Sequence, residues 1–226
     1  MRPSLVFLHT APVHVPTFTA LAAELAPGCD AHHVVDETLL AEARHAGTGD
    51  AALIARVQAA MRAAAQAHGA GAVVCTCSTI GGLAERTPTD GRFITARIDR
   101  AMADRAVASG PRILVVAALD STLAPTAALL QESADVAGRA ITPRCVLAEG
   151  AWACFEAGDI ARYHERIAAC VRTERGDADV VVLAQASMAP AADRLADLGI
   201  DVLASPRLGV QAIAERLGAG PPDRPR

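Results

Sequence analysis

Short runs of Val, Ile and Leu alternate with longer alanine-rich stretches along the whole chain, the pattern of an α/β protein built on mainly parallel sheets. The short runs predict strands at 5–8, 33–35, 72–76, 93–96, 113–117, 144–147, 180–184 and 201–204. Apolar residues at helical spacing predict helices at roughly 16–26, 50–68, 99–109, 123–137, 158–174, 189–198 and 207–217. The Pro/Gly-rich tail from Gly218 onward is expected to fray.

The pattern repeats. At an offset of 108 residues, Leu5-Val6-Phe7-Leu8 falls on Ile113-Leu114-Val115-Val116, and Val73-Val74-Cys75-Thr76 on Val181-Val182-Leu183-Ala184. Phe93-Ile94-Thr95-Ala96 falls on Asp201-Val202-Leu203-Ala204 at the same offset, without a gap. The expectation is therefore two similar, doubly wound α/β lobes with parallel sheets, 1–105 and 106–205, related by pseudo-two-fold symmetry. The last helix, 207–217, is free to pack on either lobe. Ligands of open parallel sheets bind beyond the carboxyl ends of the strands, so the chemistry is expected in a cleft between the lobes.

Composition narrows the function. The 226 residues are 52 % hydrophobic and 20 % charged, which is globular. With 3 % aromatics, a net charge of −4 and no basic run, nucleic acid is not an expected partner. No apolar stretch reaches the ~18 residues that span a bilayer, so no membrane association is expected. The apolar run near the N-terminus is short and broken by His9, Pro12 and His14, which reads as a cytoplasmic start. Six cysteines in a chain of this length read as free thiols. The first strand runs into His9-Thr10-Ala11-Pro12 and not Gly-x-Gly-x-x-Gly, which argues against a nicotinamide or flavin cofactor. No Gly-x-x-x-x-Gly-Lys is present either, and no metal site is expected.

After the strand at 72–76 comes Cys77-Ser78-Thr79-Ile80-Gly81-Gly82. Backbone amides at such a turn form an anion site if a helix starts there, and their field favours a thiolate. Thiol, hydroxyls and amide donors together suit proton removal beside a carboxylate. Cys75, inside the strand, reads as a small buried residue.

The stretch Gly69-Ala70-Gly71-Ala72-Val73-Val74-Cys75-Thr76-Cys77-Ser78-Thr79 resembles the first signature of the aspartate/glutamate racemase superfamily, in which a Gly-Ala-x-x strand ends in Cys-Asn-Thr. The stretch from Ala178 through Gln185-Ala186-Ser187 to Met188 resembles the second, a strand ending in Gly-Cys before small residues. The resemblance implies a cofactor-independent enzyme, a racemase or isomerase, acting at the α-carbon of a small carboxylate. It places Cys77 on the first catalytic cysteine and Gln185 on the second, with Ser78 where Asn is common. It also implies substrate contacts at Thr10, Ser78, Thr79, Ser121, Thr122, Ala186 and Ser187, and a homodimer.

Gln185 is the departure. A two-thiol racemase deprotonates either enantiomer, whereas Gln185 is neither acid nor base near neutral pH and offers hydrogen bonds only. One thiol implies one-sided chemistry: isomerisation, decarboxylation or C–C cleavage with protonation from the Cys77 face. Gln185 otherwise caps a strand end, and Ser121 or Thr122 otherwise caps a helix. His9 and His14 lie in a loop after the first strand, as proton donors, carboxylate ligands or structural residues. A Cys/His hydrolase would pair one of them with Cys77. His68 and His164 read as exposed helix residues, while Trp152 and Phe155 form either a cleft wall or core. Arg97 and Asp99 either pair or face the cleft. A carboxylate-binding protein without catalysis is the remaining alternative.

Overall fold

The computed structural model describes residues 2–220, so Met1 and 221–226, which include most of the expected frayed tail, lie outside the described residues. The chain divides into two units, one running to Ile98 and resuming at Pro206, the other Asp99–Ser205.

The first unit contains β1 (Ser4–His9), α1 (Val15–Leu25), β2 (Asp30–Val35), α2 (Thr38–Ala46), α3 (Ala51–His68), β3 (Ala70–Cys75), α4 (Ser78–Glu85) and β4 (Ile94–Arg97). The second contains α5 (Arg100–Ser109), β5 (Arg112–Ala117), α6 (Leu123–Ala137), β6 (Thr142–Leu147), α7 (Ala151–Glu156), α8 (Ile160–Glu174), β7 (Val180–Leu183), a 3-10 stretch (Ala186–Leu198) and β8 (Asp201–Ala204). Helix α9 (Ser205–Arg216) follows, and from Pro206 it groups with the first unit.

Each sheet has four parallel strands, in the order β2-β1-β3-β4 and β6-β5-β7-β8. All eight expected strands are present, and the two units repeat one topology. Leu8 pairs with Cys75 in the first sheet and Val116 with Leu183 in the second, so the inner strands match at the offset of 108 residues. The outer pair does not. Ala72 pairs with Ile94, whereas Val180 pairs with Asp201, so Ile94 and not Phe93 corresponds to Asp201. The connection in the second unit is one residue shorter, and the ungapped match expected for this strand is corrected accordingly.

The inner strands are hydrophobic without interruption because both of their faces are covered. On one face of the first sheet, Val6, Leu8, Val73 and Cys75 pack with Leu39, Leu53, Val57, Met61, Ile80 and Ala84 from α2, α3 and α4. On the other, Phe7 meets Phe18 of α1 with ring centroids 5.2 Å apart. In the second unit, Leu114, Val116, Val181 and Leu183 lie under Tyr163, Ile167 and Val171 of α8 and Met188 and Leu195 of the 3-10 stretch.

Local chemistry sets the helix ends. Asp50 Oδ1 accepts the Leu53 amide at 2.8 Å to start α3, and Gly69 ends it in the left-handed region at φ 56°. Helix α9 docks through Gly209, where a Cβ would fall 2.1 Å from the carbonyl oxygen of Ile98. Helix α4 forms through Gly81-Gly82, although such a pair reads as a turn in sequence. A Cβ on Gly81 would lie 3.1 Å from Cβ and Nε of Arg97, so the missing side chain leaves room for that arginine.

Candidate active site

In the first unit, Cys77 is the N-cap of α4, in extended conformation (φ −97°, ψ 115°). It is half-buried and packs on the core beneath α4. Ser78 is 4 % exposed, and its hydroxyl oxygen is buried without a hydrogen-bond partner. An unsatisfied buried hydroxyl costs stability, and its place in the first turn of a helix suits an incoming anion. Thr79 is buried beside it, and Thr10 is buried one residue beyond β1. Arg97 Nη2, itself almost wholly buried, donates to the Ser78 carbonyl at 3.3 Å. This adds positive charge at the turn and places Arg97, left open by the sequence, against α4. Cys75 is fully buried, and its thiol donates to the Cys77 carbonyl at 3.6 Å. Among the described residues, no group of three or more His, Cys, Asp or Glu side chains is disposed to hold a metal ion.

Beside this turn lies a chain of hydrogen bonds that the sequence does not announce. His9 ends β1 and is fully buried, which corrects its expected place in a loop. Its Nδ1 lies 2.8 Å from Thr76 Oγ1 and its Nε2 lies 2.9 Å from His33 Nδ1. His33 Nε2 continues to Thr19 Oγ1 at 2.9 Å. With both ring nitrogens engaged, His9 is not the base of a Cys77 pair, so it does not form the hydrolase arrangement. Burial, reinforced by His33 and His14, pulls the His9 pKa down from 6.5 to about 3. Burial alone takes His14, in the short 3-10 turn Pro12–His14, from 6.5 to about 4. The His33 pKa is also lowered, first by burial and then by His32.

In the second unit, Gln185 is the N-cap of the 3-10 stretch, also in extended conformation (φ −122°, ψ 143°). Its Oε1 accepts the backbone amides of Ala118 and Leu119 at 2.6 and 3.1 Å. Because both partners are N–H donors, the amide oxygen must face them and the NH2 must point away. Ala186 is buried, and Ser187 Oγ lies 2.7 Å from the hydroxyl of Tyr163, a fully buried residue whose pKa burial pushes up. His164 Nε2 donates to the Ser187 carbonyl at 3.0 Å, so this histidine is partly buried and not on an exposed face as expected. Ser121 Oγ is buried without a partner, and Thr122 is the N-cap of α6 without a side-chain cap bond. Neither hydroxyl therefore caps α6. Trp152 and Phe155 of α7 stack at 4.9 Å and pack on the second core. Burial raises the thiol pKa values of Cys29 and Cys170.

The Cys77 motif, with Ser78 and Thr79, and the Gln185 motif, with Ala186 and Ser187, thus fall at matching strand ends of their own units. Sequence reasoning missed Thr76, His33, Thr19 and Tyr163. The only local signal was the alternation of His9 and His33 with Phe7 and Val35 on strands.

No protein-family model matches the chain, and no curated protein sequence does. Solved structures do. An aspartate racemase from Picrophilus torridus superimposes with a TM-score of 0.65 over 96 % of this chain and 94 % of its own, at 12 % identity. The allantoin racemase of Klebsiella pneumoniae gives 0.60 over 96 % and 88 %, at 19 % identity. A glycine-to-cysteine mutant of arylmalonate decarboxylase gives 0.56 over 99 % and 97 %, also at 19 % identity. The chain has the two-lobe α/β fold of these proteins.

Proposed function

We propose that the protein is a cofactor-independent enzyme of the aspartate/glutamate racemase superfamily, acting at the α-carbon of a small carboxylate with Cys77 as the proton-exchanging group. The observation that carries this reading is the turn after β3: a half-buried thiol at the N-cap of α4, followed by a buried, unpartnered Ser78 hydroxyl. The helix N-terminus favours a carboxylate, and Ser78, Thr79 and Thr10 are assigned to binding it. Ser121, Thr122, Ala186 and Ser187 are assigned to substrate contact in the second unit on the resemblance alone.

The reaction we favour is one-sided: isomerisation or decarboxylation with protonation from Cys77. The state of Gln185 supports it, because a carboxamide bonded to two backbone amides exchanges no proton. Its NH2 is assigned hydrogen-bond donation to the substrate. The test is protection of Cys77 from iodoacetamide, followed by peptide mass spectrometry, with malonate, maleate, aspartate, glutamate and arylmalonate as candidate ligands. A fitting carboxylate is expected to slow labelling of Cys77 while leaving that of exposed Cys145 unchanged. Absence of protection by every carboxylate contradicts the reading, and protection without any turnover of the protecting acid assigns the chain a binding role.

A further inference from the structure

We propose that His9 is a positioning residue for Cys77, holding Thr76 through a hydrogen-bond chain whose polarity is fixed at its far end by Thr19. The proposal rests on the reading of Cys77 as the reactive thiol.

The chain has five contacts. They are Thr76 Oγ1 to the Leu8 carbonyl at 3.2 Å, His9 Nδ1 to Thr76 Oγ1 at 2.8 Å and His9 Nε2 to His33 Nδ1 at 2.9 Å. His33 Nε2 to Thr19 Oγ1 at 2.9 Å and Thr19 Oγ1 to the Val15 carbonyl at 2.8 Å complete it. Two hydroxyls and two neutral imidazoles carry one proton each, so four protons serve five contacts and one contact goes unfilled. The two ends decide which. An O–H···O bond is normally about 2.5–3.0 Å long, so the shorter Thr19 contact with Val15 takes the proton and the longer Thr76 contact with Leu8, itself within hydrogen-bond reach, goes without one.

The polarity follows. Thr19 donates to Val15 and accepts from His33 Nε2–H, His9 Nε2–H donates to His33 Nδ1, and the Thr76 hydroxyl donates to His9 Nδ1. Both histidines are then neutral Nε2–H tautomers. The burial that depresses both of their pKa values agrees with that neutrality.

The chain acts on the turn through Thr76. This residue lies between Cys75, the last of β3, and the Cys77 N-cap, and its own amide donates to the Leu8 carbonyl at 3.0 Å. Side chains alternate across a strand, so His9 grips residue 76 on the α1 face while Cys75 and Cys77 pack on the core under α4. Residue 76 is thereby pinned, and with it the extended torsions of Cys77.

The test combines two readouts. Long-range 1H–15N NMR at pH 7 is expected to show His9 and His33 as Nε2–H tautomers, and Thr76→Val, which replaces the hydroxyl by a methyl group, is expected to shift the His9 signals. Thr76→Val and His9→Phe are expected to slow iodoacetamide labelling of Cys77 at least ~3-fold, because an unpinned turn no longer holds the half-buried thiol in the pose it presents to the reagent. Labelling of Cys145 is expected to stay unchanged, and Thr76→Ser is expected to restore the Cys77 rate. An Nδ1–H tautomer at His9, or Cys77 labelling that is unchanged or faster in folded Thr76→Val, overturns the proposal. A Cys77 that no carboxylate protects would instead sink the functional reading, with the tautomers and labelling ratios still standing.

Discussion

Cys77 and Gln185 occupy the same place in the two sheets. Each lies two residues beyond the last paired residue of the third strand of its unit, Cys75 opposite Leu8 and Leu183 opposite Val116. Each is an N-cap in extended conformation. The environments diverge after that. The Cys77 thiol makes no side-chain cap bond, whereas the Gln185 carboxamide is held by Ala118 and Leu119. A position that is chemically open in one unit has become a structural tie in the other.

Removing that tie leaves two backbone amides without an acceptor. Gln185→Leu is expected to destabilise the fold by about 1–3 kcal/mol for each amide that stays unsatisfied. Gln185→Glu, which keeps an acceptor oxygen, is expected to lose less. Urea unfolding of the three proteins checks the order, and equal stability of the Leu and wild-type proteins would show that the tie carries no weight.

Much of this arrangement was legible in the chain because parallel strands buried on both faces must be continuous apolar runs. All eight were found, and the offset that relates Leu8 to Val116 also relates Cys77 to Gln185. The offset failed at Ile94 and Asp201, where a single-residue deletion in a connection leaves no trace in a hydrophobic pattern. Helix α4 was missed because Gly81-Gly82 has the composition of a turn, and its reason for being, the side chain of Arg97, comes from a strand 16 residues later in sequence than Gly81. The His9 chain was hidden for a similar reason: His9, His33 and Thr76 meet only through strand pairing, and a histidine at a strand end reads equally well as loop.

The approach of α9 to Ile98 makes Gly209 sensitive. Gly209→Ala places a methyl carbon 2.1 Å from a backbone oxygen, which no side-chain rotation relieves. Overpacking of this kind costs about 1–3 kcal/mol, and the melting temperature is expected to fall by several degrees. Calorimetry checks it, and an unchanged melting temperature would mean that α9 is free to move away from Ile98.

Two histidines shielded from water, His9 fully and His14 in part, make stability depend on pH. The folded pKa values of His9 and His14 lie at about 3 and about 4, below the ordinary 6.5. Above pH 6.5 both folded and unfolded forms are neutral at these residues, and the shifts contribute nothing. As the pH falls below that, the unfolded chain takes up protons that the folded chain refuses, so stability is lost progressively towards pH 4. Thermal melts between pH 7 and pH 4.5 are expected to show this decline, with a shallower slope in His14→Gln. Parallel slopes for the two proteins would place His14 outside the effect.

Cys77 is proposed to move a proton at the α-carbon of a small carboxylate. The direct measurement is 1H NMR of candidate acids in D2O with purified protein: both enantiomers of aspartate, glutamate and 2-aryl or 2-hydroxy acids, with maleate and arylmalonate. A proton-moving Cys77 predicts loss of the α-proton signal, isomerisation or decarboxylation for at least one acid, without interconversion of enantiomers, and its disappearance in Cys77→Ala. Turnover that persists in folded Cys77→Ala would contradict it.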